Sequence, residues 1–121
     1  MTAVQFTVPG PPVPWMRAAS RAGVRFTPAK QRGYQRLVAD VARTALHRSP
    51  RWPLDARYRV DCSATFADAR RRDLDNSIKT ALDALSGVTW RDDSQVDEMH
   101  VYRLRGVPSL HMTITVLGAT Q

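Results

Sequence analysis

Residues 57–87 read RYRVDCSATFADARRRDLDNSIKTALDALSG, and two hydrophobic periods follow one another within them. From Arg57 to Phe66 the chain alternates. Tyr58, Val60, Cys62, Ala64 and Phe66 take one face, and Arg59, Asp61, Ser63 and Thr65 take the other, the mark of a half-buried strand. From Leu74 to Leu85 the period lengthens, with Leu74, Ile78, Ala81, Leu82 and Leu85 forming the stripe of an amphipathic helix. Gly87 is its natural stop. Between strand and helix lie three arginines and two aspartates, Arg70-Arg71-Arg72-Asp73-Leu74-Asp75.

Working outward, Val4-Gln5-Phe6-Thr7-Val8 alternates as a first strand. Pro9, Pro11, Pro12 and Pro14 end it, because proline cannot donate to a ladder. Trp15 to Thr27 follows those prolines without periodicity and reads as a basic, mobile loop. Pro28 to about Arg48 carries Tyr34, Leu37, Val38, Val41, Ala42, Ala45 and Leu46 at helical spacing, with Thr27 as N-cap and Pro28 at the first helical position. Arg32, Arg36 and Arg43 fall within about 40° of one another on that helix, either as a phosphate-facing stripe or as a solvated face. After Pro50 and Pro53 comes the strand already described. Val96 to Leu104 is β-like but alternates poorly, and Leu110, Met112, Ile114 and Val116 mark a last strand beyond Gly106 and Pro108. The order β-α-β-α-β-β predicts an α+β fold over residues 1–121: one domain, with helices packed against one mixed sheet.

The formal charge is +7, which points to a polyanionic partner. Up to Ala67, eleven basic residues face only Asp40, Asp55 and Asp61, and the remaining acids crowd between Asp68 and Glu98. Cys62 stands alone, which excludes an intrachain disulfide and argues for a reducing compartment. The start lacks a charged region followed by an apolar run, and no stretch approaches the roughly 20 apolar residues needed to cross a bilayer. A cytoplasmic location is expected, without membrane contact.

Acids inside a basic chain carry the chemistry. A carboxylate against a phosphate is unfavourable unless a cation sits between them, so Asp73, Asp75, Asp92 and Asp93 are candidate ligands for Mg²⁺ or Mn²⁺, hard cations that prefer oxygen. Such an ion is the equipment for cutting phosphodiester bonds. Lys79, one turn after Asp75, can neutralise charge at phosphorus, and Asn76 can orient a carboxylate from behind. Whether the Asp92-Asp93 loop returns to the helix start is left open by the spacing. The competing account is structural: Asp75 caps the helix, Asp75, Lys79 and Asp83 form an i, i+4 ladder, and Asp92-Asp93 is a solvated turn. His47, His100 and His111 lack zinc spacing, and no P-loop, dinucleotide glycine pattern or G-x-S-x-G occurs. Cys62 on an apolar strand face reads as packed and inert. Trp15, Trp52 and Trp90 can stack on bases, although tryptophan is more often core; Trp15 and Trp90 are the two to watch.

The pattern RRRDLDN-x-x-K-x-x-x-D-A-L, followed by W-x-D-D-x-Q-V, resembles the RusA family of Holliday junction resolvases, small endonucleases common in phages and prophages. The resemblance is strongest from Arg70 to Val96 and extends loosely to the proline-rich start. It implies a RusA-like homodimer that binds four-way DNA junctions and nicks two strands symmetrically with Mg²⁺, Mn²⁺ substituting, and without a small-molecule cofactor. Asp73, Asp75 and Asp93 match the essential family carboxylates, Lys79 the catalytic lysine, and Asp92 a less critical acidic position. Pro14-Trp15-Met16 departs from the polar stretch of relatives. Arg17, Arg21, Arg25 and Arg70 to Arg72 are expected to contact DNA phosphates. Two alternatives stand beside the resolvase: a non-catalytic, basic nucleic-acid-binding module, and a nuclease for flaps or forks.

Overall fold

A computed structural model describes residues 2–16, 19–26 and 28–119, of which 19–21, 24–26 and 119 are described by their backbone alone. Strand β1 (Ala3–Pro9) is followed by two short strands, β2 (Ala19–Arg21) and β3 (Val24–Phe26), and by helix α1 (Ala29–Leu46). Strand β4 (Ala56–Phe66), helix α2 (Leu74–Leu85), a 3-10 turn (Asp93–Gln95), β5 (Val96–Arg105) and β6 (Ser109–Ala119) complete the chain. The sheet order is β1-β6-β4-β5. β4 pairs parallel with β5, and the other neighbours are antiparallel, so the sheet is mixed as expected.

One face of the sheet makes the core. In register, Val4 meets Ile114, Phe6 meets Met112 and Val8 meets Leu110, while Val60, Cys62 and Ala64 meet Ile114, Met112 and Leu110 from the other side. Tyr34, Val38 and Ala42 of α1 and Ile78, Ala81 and Leu85 of α2 close over this face. The opposite face carries Gln5, Thr7, Arg59, Asp61, Ser63 and Thr65, none of them buried. β4 alternates buried and half-buried along its whole length, because it is flanked by strands on both sides. β5 is an edge strand that exposes nearly every residue, which explains its weak alternation in sequence.

Three local expectations are corrected. Trp15 to Thr27 is not wholly loop. β2 and β3 pair in register across Ala22-Gly23, whose φ values of 52° and 78° make the two-residue turn that favours glycine. Three-residue strands are too short to show a period. The N-cap of α1 is Pro28 itself, without a side-chain cap, and Thr27 lies outside the described residues. Leu37 of α1 faces outward at 38% exposure, so the buried stripe runs through Tyr34, Val38 and Ala42. Arg32, Arg36 and Arg43 all lie on the exposed side, with Arg43 3.4 Å from Asp40.

Candidate active site at the two ends of helix α2

The strand-to-helix crossover places the first acid pair. Because β4 and β5 are parallel neighbours, the chain leaves β4 at Phe66, runs back along α2 and re-enters the sheet at Val96, opposite Tyr58. Asp73 is the N-cap of α2: its Oδ1 accepts from the Asp75 N–H at 3.1 Å, and its carbonyl accepts from the Ser77 N–H and hydroxyl at 3.0 Å each. The cap is therefore Asp73 rather than Asp75. The Asp75 carboxylate is exposed, with no hydrogen bond or ion pair to any described residue, and the second Asp73 oxygen is equally unengaged. Two open carboxylates at a helix start are a donor set that suits Mg²⁺ or Mn²⁺.

The i, i+4 ladder does not form, since no ion pair joins Lys79 to Asp75 or Asp83. Lys79 Nζ instead lies 4.1 Å from the centroid of the Trp15 ring. Asn76 is half-buried; its carbonyl accepts from the Trp15 N–H at 3.0 Å.

A basic cleft of about 270 Å³ lies just before Asp73, lined by Arg70, Arg72, Arg103 and Arg105 with Asp68 as the one acid. Its arginines differ. Arg72 is half-buried over the Phe66 ring, 4.4 Å from the centroid, and pairs with Asp68 at 2.9 Å, which holds the Asp68 carboxyl below its usual range. Arg103 donates to the Arg72 carbonyl and Arg105, more distantly, to that of Ala67. The side chains of Arg70 and Arg71 are exposed and pair with no described acid. Arg103 and Arg105 reach this cleft from β5 through the parallel pairing, which sets them beside Ala64 and Phe66. Arg17 lies outside the described residues, as do the side chains of Arg21 and Arg25.

The second acid pair sits elsewhere. Asp92 caps the 3-10 turn, accepting from the Ser94 N–H at 3.0 Å within a capping box, and this hydrogen bonding holds its carboxyl low. Gln95 enters the sequence reading only as part of the family pattern, with no role assigned to it. Buried at 8% exposure, its Oε1 accepts from the N–H groups of Arg91 and Asp92, while its Nε2 donates to the carbonyls of Leu54 and Ala56. A glutamine three residues after an acid was the available signal. Asp93 stands beside Asp83 near the end of α2, where partial burial first, and then the Asp93 charge, push the Asp83 carboxyl up against the opposing pull of Lys79.

Asp75 and Asp83 are about 12 Å apart along the helix axis at 1.5 Å per residue. Within one chain, Asp73 and Asp75 thus share the helix start, Asp93 lies toward its other end, and no group of three acids, histidines or cysteines suited to a metal occurs among the described residues. The tryptophans also separate. Trp90 is fully buried, tilted against Tyr58 at 5.6 Å, and unable to stack on a base; Trp52 is half-buried and donates to the Thr89 carbonyl; Trp15 remains 36% exposed. Among the described residues, no helix is long and apolar enough to cross a membrane.

Comparison with known proteins bears on the same residues. The chain is 31% identical over 121 residues to the crossover junction endodeoxyribonuclease RusA of Escherichia coli strain K12, covering 98% of both proteins. It is 31% identical to the protein of that name from Enterobacteria phage HK97, over 96% of this chain and 95% of the relative. A shorter match to the Enterobacteria phage 82 protein gives 37% identity over 68 residues. The family model for endodeoxyribonuclease RusA matches residues 9–116, which include both acid pairs, Lys79, Gln95 and the arginine cleft. The chain belongs to the endodeoxyribonuclease RusA family.

Proposed function

We propose that this protein is a metal-dependent endonuclease that resolves four-way DNA junctions by paired, symmetric nicks. The observation that carries the reading is the start of α2, where the unengaged Asp75 carboxylate and the free oxygen of Asp73 stand next to a cleft of four arginines in a chain of this family. Arginines hold the phosphate backbone and the carboxylates hold a cation against it, so binding and cutting are assigned to adjacent but different groups.

Asp73 and Asp75 would hold Mg²⁺ or Mn²⁺, which supplies Lewis-acid stabilisation of the phosphoryl oxygen and a lowered pKa for attacking water when bound. Lys79 places an ammonium where negative charge grows at phosphorus, and Arg70 and Arg71 grip flanking phosphates. Asn76, whose side chain bonds neither carboxylate in the free chain, would orient one of them once a cation is held. Asp93 lies toward the other end of α2, near Leu82 and Asp83, about two turns of helix from its own Asp75. A homodimer removes that separation: a two-fold copy can bring its Asp93 to the first protomer's Asp73 and Asp75, and two such sites suit a two-fold junction. No small-molecule cofactor is needed, and the working compartment is the cytoplasm, where host and phage DNA meet.

The test is incubation with a labelled, mobile four-way junction in Mg²⁺, in Mn²⁺ and with chelator, beside linear duplex, flap and fork. Symmetric nicks on the junction, abolished by chelator, are expected. Binding without cutting under both metals would instead support the non-catalytic module, and preferential cutting of flaps or forks would reassign the substrate.

A further inference from the structure

Lysine side chains are long and flexible, and a lysine that serves a reacting phosphate must be held somewhere without losing its charge. An ion pair with Asp75 or Asp83 would hold Lys79 but would set a counter-charge beside it and, at Asp75, would engage a metal-binding carboxylate. Neither ion pair is present. The Lys79 ammonium lies over an indole face instead, 4.1 Å from the Trp15 centroid, and a tryptophan face attracts a cation without neutralising it.

Trp15 is itself fixed. Its N–H donates to the Asn76 carbonyl in the first turn of α2 at 3.0 Å. The next N–H, of Met16, donates at 2.8 Å to Oε1 of Gln31, a buried residue of α1. Pro12 and Val13, just before, are buried as well. The proline-rich segment is therefore pinned between both helices, and the indole it presents meets the one lysine of α2. Pro14-Trp15-Met16 is thus tied directly to the residue assigned to phosphorus.

We infer that Trp15 is a positioning residue that holds the Lys79 ammonium beside the start of α2, leaving Asp73 and Asp75 free for a cation. This rests on the nuclease reading of that site. The rival role for an exposed tryptophan, stacking on an unpaired base, predicts an effect on DNA binding instead.

Lys30 and Lys79 are the only lysines in the chain, so ¹³C-lysine labelling gives two resolvable side chains. The wild-type protein is expected to show one set of ε-methylene signals shifted upfield by the indole ring current. That set should vanish in Lys79→Met and return to the ordinary position in Trp15→Leu. At saturating junction, Trp15→Leu is expected to lower kcat about tenfold with the junction Kd within about twofold, and Trp15→Phe to restore most of the rate. Unshifted lysine signals in the wild type overturn the inference. So does a Trp15→Leu protein that binds junction poorly yet turns over normally once saturated, which would make the indole a DNA contact. Should Trp15→Leu fail to fold, Trp15→Phe and Trp15→Tyr carry the test: both keep a ring and should keep the shift and the rate, and normal turnover with an unshifted Lys79 would overturn the role. A wild-type protein that cuts no branched DNA removes the nuclease reading and the positioning role together, whereas an unshifted lysine in an active nuclease removes only the latter.

Discussion

The two ends of α2 carry acids of different kinds. At the start, Asp73 spends one oxygen on its own helix and Asp75 none, both exposed beside the arginine cleft. At the far end, Asp92 is locked into a capping box, Gln95 ties the turn to Leu54 and Ala56, and Leu85, Thr89 and Trp90 are completely buried beneath it. The start is a surface prepared for a charged ligand. The end is a strut, whose rigidity fixes Asp93 beside Asp83 rather than beside Asp75. Acids that look like one motif in sequence therefore divide into a pair that can bind and a pair that is mostly built in, with Asp93 the one member of the second pair left unengaged.

The hardest test of that division is Asp75→Asn. We expect cutting to fall about a thousandfold, the several kcal/mol that a metal supplies, while junction affinity and melting temperature stay near wild type. Loss of binding together with cutting, read by gel shift beside the nuclease assay, would break the separation of roles. The strut should behave in the opposite way: Leu85→Ala is expected to cost about 2–5 kcal/mol of stability in a denaturant titration, because the site is fully buried. A stable Leu85→Ala protein would mean that the far end is not a strut.

A differently tagged pair, Asp75→Asn and Asp93→Asn, purified as a mixed dimer, sharpens the comparison. If the ends of two copies complete each site, one of the two sites is whole, and junctions should be nicked once rather than resolved. If each chain's acids serve its own site, the mixed dimer should be as inactive as either parent. Smaller effects follow from the cleft. Arg70→Gln and Arg71→Gln should each reduce the salt slope of junction binding by about one without touching cutting at saturation, whereas a slope that does not move would place the phosphates elsewhere. The smallest effect is a null. Burial pushes the Cys62 thiol up to about 12, so a thiol reagent at pH 8 should label the unfolded chain and leave the native protein unmodified over the same time.

Much of the scaffold was legible because its signals are local. The alternation of Tyr58 to Phe66 and the stripe of Leu74 to Leu85 give β4 and α2 almost to the residue, since strand and helix periods depend only on neighbours in the chain. The hairpin β2–β3 was hidden because three residues hold no period, and Leu37 was misassigned because its outward angle depends on how α1 lies on β1. Trp90 looked available beside Arg91 in sequence, yet the return of the chain under α2 buries it against Tyr58.

From the sequence alone come the family pattern, the basic charge, the element order and the list of acids, because each is written in residue types and short spacings. Which acids face each other was decided only by tertiary structure. The parallel pairing of β4 with β5 obliges the chain to travel the full length of α2 before Asp93 appears, so residues 18 positions beyond Asp75 emerge at the opposite end of the helix. The same pairing brings Arg103 and Arg105 from β5 to the cleft ahead of Asp73, and packing lays Lys79 on Trp15 from 64 residues away. Neighbours made by a crossover are set by sheet order, which local spacing does not encode.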